Sequence, residues 1–384
     1  MARRKISPPA TKQSDIRIKP TGIFSHSDSR LFSLTIAITL VAGIFHNSGG
    51  NPIVAFGFSG AALATIANLL GRSIEALGDH LSAGTTGIFK AFLGNLPELF
   101  VILFSLKAGL YEVAKATLVG SILAHLLLIT GLAFFVGGLK HGRQVLRAPT
   151  LRRLVLLLFL SVSALAIPTF TSALNTPAVN HERIFTLVIS VLLLLLFLAS
   201  QIDKFNDKTD KSAISASANA PSDRNGENLH GTWPLNVAFG ILGISIIGVA
   251  VASDWFVSEL TPAIDLMGIS EAFAGFVVVA ISTNAVVNIA GIKLAAKNMS
   301  ETALHSILQS PLRIVMVIAP TVALAAPLVG AATFTLVFSP LLLAVLFIAV
   351  IVSVLVVING AATWFEGSCL LVLYFAIATA FWWG

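Results

Sequence analysis

Long apolar runs are the feature that most constrains the fold of this chain. Stretches such as Leu151 to Ser200 and Phe334 to Ile358 carry enough apolar residues to cross roughly 30 Å of hydrocarbon as helices. Strands of a membrane barrel would alternate polar and apolar residues, and these runs do not. With 56% hydrophobic and 11% charged residues, the chain is far more apolar than an ordinary soluble domain. We therefore expect an all-α polytopic membrane protein.

Charged residues, glycines and prolines divide the apolar runs into eleven predicted transmembrane helices. These cover residues 31–46, 52–71, 83–106, 112–138, 149–168, 183–202, 233–253, 268–291, 303–327, 331–357 and 364–383. The segment 203–231 is rich in Ser, Asn, Asp and Lys, which predicts a flexible linker. The predicted domains are therefore a basic tail (1–30), an N-terminal membrane half (31–202), this hydrophilic linker (203–231) and a C-terminal membrane half (232–384).

The distribution of charges predicts which loops face the cytoplasm. Lys140, Arg143, Arg152 and other basic residues fall in the loop after the fourth predicted helix, and further basic residues precede the first. The segment 254–271, predicted to lie on the other side, has four acidic residues and no Lys or Arg. Because cytoplasmic loops are enriched in Lys and Arg, we expect a cytoplasmic N-terminus and a plasma (inner) membrane location. These loops also account for the net charge of +6, so we expect no nucleic-acid partner.

Two segments of the chain match each other at an offset of 189 residues. Asn95 then meets Asn284, Ser121 meets Ser310, and further positions agree without a gap. Under the eleven-helix topology the third helix runs outward and the eighth runs inward, so the two repeats, about 80–138 and 268–327, are predicted to be inverted. Transporters built from inverted repeats bind substrate near the membrane midplane, between broken helices.

Glu98 places a carboxylate within a stretch of sequence that is apolar enough to span a membrane. An ionised Glu at the middle of a bilayer costs at least roughly 2.5 to 3.5 kcal/mol, so its retention indicates an ion path or a proton relay. The alternative is a carboxylate at an interfacial helix end, or one neutralised by protonation. Pro97 is predicted to break the helix beside it, and Asn95 lies one turn away on the same face. Ser121 and His125, four residues apart, share a face of the next predicted helix.

The residues around Glu98 resemble a known family. GNLPEL at Gly94 to Leu99, followed by VGSILAHLLLITGLAFFVGG, is similar to the first repeat of the calcium/cation antiporter superfamily, in its calcium/proton exchanger branch, whose pattern is GNA-x-EL and then LGSILSNLLL. Gly268 to Ile281 and Thr363 to Tyr374 resemble the second repeat's opening and the final helix of the same branch. The resemblance implies a secondary active cation/proton antiporter working by alternating access, with calcium and protons as its transported partners, without enzymatic activity and without a cofactor.

The resemblance also implies the roles of the site residues. Glu98 is expected to exchange a proton for a cation, with neutral oxygen ligands around it. The implied metal ligands are Glu98, Asn95 and Asn284. The full set of implied ion-binding and proton-binding residues is Glu98, Asn95, Ser121, His125, Asn284, Ser310 and Arg313.

The second repeat departs from the family pattern. TNAVVN stands where the family has GNAAEH, so Val287 replaces the second metal-binding Glu. QSPLRI stands where the family has GSSIQI, so Pro311 is expected to interrupt the helix and Arg313 replaces a neutral Gln; His125 likewise replaces an Asn. An Arg313 that faces the cavity is expected to pair with Glu98 and to oppose a dication. The alternative is a side chain that snorkels to the interface.

These losses leave other functions open. A monovalent cation/proton antiporter suits a site with one carboxylate, and a relative without transport activity would serve as a sensor or scaffold. An intramembrane serine protease is less favoured: GFSG at Gly57 to Gly60 matches the short Gly-x-Ser-Gly pattern of rhomboid-like proteases, with His125 as the base. A pattern of four residues is easily matched in a Gly-rich chain, and a protease would leave the inverted repeat unexplained.

Overall fold

The computed structural model describes residues 24–78, 80–81, 89, 92–146, 149–206 and 233–383, and most of them are helical. In chain order the helices are α1 (His26–Ser48), α2 (Pro52–Gly78), α3 (Leu96–Lys107), α4 (Tyr111–His141), α5 (Pro149–Ala173), α6 (Glu182–Asn206), α7 (Leu235–Met267), α8 (Glu271–Phe273, Ala274–Val279 and Ala280–Ala296), α9 (Ser300–Val329), α10 (Pro340–Asn359) and α11 (Trp364–Trp382). A 3₁₀ turn at Pro177–His181 precedes α6.

The helices have the length and composition of membrane spans. Within the described ranges, nine are long and apolar enough to cross a bilayer, and α8, whose parts Glu271–Asn284 and Ile289–Ala296 meet at 66°, makes a tenth. Large apolar side chains such as Leu160, Ile244 and Ile247 are exposed on the outside of the bundle, where lipid would cover them. The prediction of an all-α polytopic membrane protein is confirmed. The predicted third span, 83–106, falls partly outside the described residues, and α3 occupies its second half.

Two predicted helix boundaries are wrong by nine residues or more. The helix predicted at 233–253 continues to Met267, so acidic residues assigned to a loop lie on α7 instead. Helical spacing explains this, because Phe256, Val257 and Leu260 are buried on one face while Asp254 and Asp265 are exposed. Residues 331–339 are not helical; α10 begins at Pro340, where Ser339 accepts a hydrogen bond from the Leu342 N–H.

The predicted tail and linker are described only in part. The tail (1–30) is described from residue 24, and α1 already begins within it at His26. Of the predicted linker (203–231), residues 203–206 continue α6, and the others lie outside the described residues.

Contacts between distant loops define the two faces of the bundle. Strand β1 (Gln144–Val145) pairs antiparallel with β2 (Ala361–Ala362), and the Gln144 side-chain amide donates to Asn298 Oδ1 at 2.8 Å. The loops after α4, α8 and α10 therefore share one face. Because successive helices alternate in direction, α1 also begins on this face, which we call the N-face. On the opposite face the backbone N–H of Ser270 donates to the carbonyl of Trp382. This bond joins the start of α8 to the end of α11.

Glycines let α4 and α8 cross with their backbones in contact. A Cβ on Gly120 would lie 2.3 Å from the carbonyl oxygen of Phe276, and a Cβ on Gly275 would lie 2.5 Å from that of Val113. No side chain fits at either point, which is how small residues allow close helix packing in membranes. The crossing holds the middle of α4 against α8, and the candidate site lies there.

Among the described residues, three helices contain a π-helical segment: Ala124–Ile129 in α4, Ala274–Val279 in α8 and Ile314–Ile318 in α9. Such segments insert an extra residue into a helix and are frequent at functional sites. Pro311, expected to interrupt its helix, instead lies inside the segment Ser300–Arg313, which runs on through the π segment into Ala319–Ala325. That expectation is wrong, because the proline removes one backbone donor and the π segment that follows changes the hydrogen-bonding register without ending the helix.

The helices of the two predicted repeats are in register. At the 189-residue offset Tyr111 corresponds to Ser300, and both residues begin a helix. The π segment that starts at Ala124 corresponds to one that starts within a single residue of the expected position, at Ile314. This agreement supports the internal repeat, and the inverted relation of its two copies stays a prediction.

Candidate ion-binding site

Glu98 lies at the start of a helix inside the bundle. Residues 92 and 93 are helical, residues 94 and 95 form a turn, and α3 begins at Leu96 with Pro97 in its first turn. The proline is suited to that position because its missing N–H would have no partner there. The helix break expected beside Glu98 is therefore present. The unpaired N–H groups and the dipole of the helix start favour a negative charge at Glu98.

The carboxylate of Glu98 is buried, and no hydrogen bond to it is found in the described part of the chain. The residue is 1% exposed. Ser121 of α4 and Asn284 of α8 are its polar neighbours, yet neither carboxylate oxygen is within hydrogen-bonding geometry of a donor among the described residues. A buried polar group that stays unbonded costs free energy, and far more so when it is charged. The arrangement therefore requires a proton or a cation to neutralise this carboxylate.

Neutral polar side chains from α4 and α8 meet beside Glu98. The Asn284 side-chain amide donates to Ser121 Oγ at 3.3 Å, to the Ala280 carbonyl at 3.1 Å and to Thr283 Oγ1 at 3.2 Å. Because its nitrogen is engaged in this way, the atom that Asn284 can offer a cation is its carbonyl oxygen.

Asn95, the residue before α3, is buried as well. It is 7% exposed, and its side-chain nitrogen has no partner within the described part of the chain. Its side chain does not cap α3 either. It lies one turn before Glu98, so the polar side of the break carries an amide and a carboxylate, and hard cations prefer such oxygen groups.

His125 is held to its own helix. The fully buried ring places Nδ1 2.7 Å from the carbonyl oxygen of Ser121, and no partner of Nε2 is found among the described residues. Since a carbonyl only accepts, Nδ1 must carry the proton and donate it. The Thr130 hydroxyl in turn donates to the His125 carbonyl at 2.8 Å, five residues back along the π segment.

Arg313 does not pair with Glu98. One guanidinium nitrogen donates to Gln309 Oε1 at 2.9 Å, and the group is close enough to His125 to act on it electrostatically. In the described part of the chain no ion pair within 4.0 Å joins Arg313 to Glu98. The expected pairing is therefore wrong, because helical side chains lean toward the start of their helix and Arg313 reaches back to the preceding turn.

The remaining predicted site residues are placed only in part. Ser310 is buried on α9, 4% exposed, with no hydrogen bond to Glu98 among the described residues. The side chains of Val287 and Asn288 lie outside the described residues. Within the described ranges, no group of three or more His, Cys, Asp or Glu side chains has the geometry to hold a metal ion. A cation at Glu98 would therefore depend mainly on neutral oxygen ligands.

Sequence reasoning missed three polar residues on the helices that carry the site residues. Thr117 is fully buried one turn before Ser121, and its hydroxyl has no partner within the described residues. Its (i, i+4) spacing from Ser121 was a sufficient signal. Gln309 and His305, which precede Arg313 on α9 at the same spacing, were recognisable in the same way.

The protease arrangement is not formed. Ser59 is fully buried and its hydroxyl has no partner among the described residues, while the Nδ1 of His125 is engaged by the backbone of α4. No hydrogen bond joins these two side chains in that part of the chain, so the nucleophile and base pairing that such catalysis requires is missing.

Known proteins resemble this chain over most of its length. The model of the sodium/calcium exchanger protein family matches residues 51–202 and 237–383. The Ca(2+)/H(+) antiporter ChaA of Bacillus subtilis is 30% identical over 360 residues, which cover 92% of this chain and 99% of that protein. A Ca(2+)/H(+) antiporter of Synechocystis sp. is 27% identical over 364 residues, covering 92% and 97%.

Solved structures show the same architecture. The structure of native YfkE matches with a TM-score of 0.76 and 29% sequence identity, covering 92% of this chain and 99% of that one. The H+/Ca2+ exchanger CAX matches with a TM-score of 0.69 and 15% identity, covering 93% and 92%. At that lower identity the second match shows a common fold alone.

Proposed function

Because the chain belongs to the sodium/calcium exchanger family, in its calcium/proton exchanger branch, we propose that it is a secondary active antiporter exchanging calcium for protons. The family consists of transporters, so the protease alternative is set aside. The antiporter works by alternating access, with the site reached from one face of the membrane at a time.

The single observation that carries this proposal is the buried carboxylate of Glu98, to which no described residue donates a hydrogen bond. A proton or a cation neutralises it, and the two compete because they use the same oxygens. Competition of this kind is the minimum requirement for antiport. Each partner leaves only when the other can replace it, since a bare carboxylate in this position is costly.

Neutral groups complete the proposed cation site. Calcium takes six to eight oxygen ligands, of which Glu98, Asn95, Asn284 and Ser121 supply part. Backbone carbonyls freed by the break before α3, and water, supply the rest. We place His125, Ser310 and Arg313 at the edge of this site.

We further propose that the N-face is cytoplasmic and that the protein resides in the plasma (inner) membrane. At the N-face, Lys140 and Lys293 lie in the last turns of α4 and α8, and Arg143 and Lys297 lie in the segments that follow these helices. On the opposite face, the exposed acids Asp265 and Glu271 flank the α7–α8 loop. Basic loops are retained in the cytoplasm.

The test uses proteoliposomes loaded with a pH-sensitive dye, in which calcium is added outside and proton movement is followed. We expect calcium-dependent proton flux from the wild type and flux at background level from Glu98→Gln, which removes the exchangeable charge but keeps the shape. Glu112→Gln is the matched control, because Glu112 is exposed in the adjacent helix and its removal should leave the flux unchanged. Absence of flux from the wild type would contradict the proposed function, and flux retained by Glu98→Gln would contradict the role of that residue.

A second candidate is a monovalent cation/proton antiporter. The position of the second carboxylate holds Val287, and a fixed cation, Arg313, lies near the site, so the net charge available to a dication is reduced. The same proteoliposomes decide between the two: proton flux driven by sodium or potassium, with none driven by calcium, would favour the monovalent exchanger. No flux with any cation would favour the sensor or scaffold.

A further inference from the structure

A polar stripe runs along α9 from the N-face toward the candidate site. Gln309 Nε2 lies 3.2 Å from His305 Nδ1, and Arg313 donates to Gln309 Oε1 at 2.9 Å. The three residues are four apart, so they share one side of the helix, and all three are partly exposed. Polar side chains within a membrane span seldom face lipid. Under the proposed alternating-access function, a polar stripe of this kind marks the approach that opens from the N-face, near Ser300.

The far end of this stripe lies on the N-face side of Glu98. Helix α4 runs from the opposite face to the N-face, so His125 is roughly 6 Å closer to the N-face than Ser121, at 1.5 Å per residue. Arg313 acts electrostatically on His125, while Ser121 is the residue beside Glu98. The π segment that contains His125 packs against the Ser300–Arg313 segment of α9. A cation that follows this stripe between the N-face and Glu98 therefore passes the guanidinium.

Resting on the proposed function, we infer that Arg313 is a fixed electrostatic barrier on the N-face approach to Glu98. Its guanidinium is charged at any physiological pH. Gln309 holds it on the approach, away from Glu98, so it repels arriving cations without neutralising the carboxylate. Coulomb repulsion is proportional to the charge of the cation, so Arg313 discriminates against divalent cations and makes the two faces unequal.

The experiment measures the cation concentration for half-maximal proton flux from each face, in proteoliposomes of one protein orientation, for wild type and Arg313→Gln. Glutamine is the neutral residue of the family pattern at this position. We expect the half-maximal calcium concentration at the N-face to fall at least about fivefold, the repulsion of a dication by one charge several ångströms away in water, with the opposite-face value unchanged. For a monovalent cation that supports flux, the change should be about twofold, because its charge is half as large.

Two further variants keep the inference testable should Arg313→Gln fold poorly. Gln309→Glu retains the arginine but places a carboxylate on its hydrogen-bonding partner. This variant should also lower the half-maximal calcium concentration at the N-face. Arg152→Gln removes an exposed guanidinium from α5 at the same face and should change neither value. This variant controls for the general surface charge.

The outcomes separate the barrier from the proposed function. No cation-dependent flux from the wild type overturns the antiporter, and the barrier with it. If the wild type shows normal flux, and both Arg313→Gln and Gln309→Glu leave the half-maximal calcium concentration at the N-face unchanged, the barrier is overturned but the antiporter is not. Equal changes at both faces, or equal changes for monovalent and divalent cations, also overturn it, because a structural disturbance of the site would produce them.

Discussion

Ser121 forms hydrogen bonds with two other residues of the candidate site, Asn284 and His125. Its hydroxyl accepts the amide of Asn284, and its carbonyl accepts the Nδ1–H of His125. Ser121→Ala removes only the hydroxyl, so Asn284 loses one of its three acceptors and the cation loses a neighbouring oxygen. A buried hydrogen bond is worth about 0.5 to 1.5 kcal/mol, so we expect the half-maximal calcium concentration to rise roughly two- to tenfold with folding retained. Calcium-dependent proton flux measures it.

The matched control for this change is Ser161→Ala. Ser161 is equally buried on α5, and its hydroxyl bonds the Leu157 carbonyl of its own helix at 2.7 Å. It should leave the half-maximal concentration unchanged. Equal effects of the two substitutions would show that Ser121 acts through packing alone and not through the site.

The buried part of the site was predictable from sequence because its residues are tied to motifs. Glu98, Asn95, Ser121 and Asn284 each sit at a fixed offset from a helix break or a repeat position, and the structure buries all four. The direction of Arg313 was not predictable. A long side chain on a helix can reach several neighbours, and its hydrogen bond to Gln309 depends on rotamers that sequence spacing does not specify.

At the scale of helices, the crossing of α4 and α8 is the contact on which the site depends. Gly120→Ala would place a Cβ 2.3 Å from the carbonyl oxygen of Phe276, and because that atom belongs to the backbone, the helices must move apart. Overpacking of this kind costs about 1 to 3 kcal/mol. We expect a lower thermal unfolding midpoint in detergent and weaker calcium-dependent flux, because Ser121 and Asn284 separate together with the helices.

Gly71→Ala is the control for Gly120→Ala. Gly71 lies in α2 with no atom within 4 Å of the added Cβ, so alanine should leave the midpoint unchanged or raise it slightly through its better helix propensity. An unchanged midpoint and flux in Gly120→Ala would contradict the close crossing of α4 and α8.

The helices themselves were largely predictable, whereas their crossings were not. Apolar runs and polar breaks place most spans correctly, because burial in lipid demands them. The start of α10 was missed because residues 331–339 are as apolar as a helix, and only the cap at Ser339 marks the boundary. The glycines of α4 and α8 signal close packing somewhere, but the sequence does not say which backbone each of them meets.

At the scale of the whole molecule, the order of helices predicts which loops share a face, and cysteine labelling tests it. With Cys369 replaced by Ser, single cysteines are introduced at Arg143, after α4, and at Thr333, after α9, both of which are exposed. Five predicted spans, α5 to α9, separate these positions, and an odd number requires opposite faces. In intact cells we expect a membrane-impermeant maleimide to label Thr333→Cys, and to label Arg143→Cys only after permeabilisation, since basic loops remain in the cytoplasm.

The reverse labelling pattern would contradict the proposed orientation but keep the helix order. Labelling of both positions from the same side would contradict the order itself, and most directly the assignment of the bent α8 as a complete span, because its loss leaves an even number of crossings.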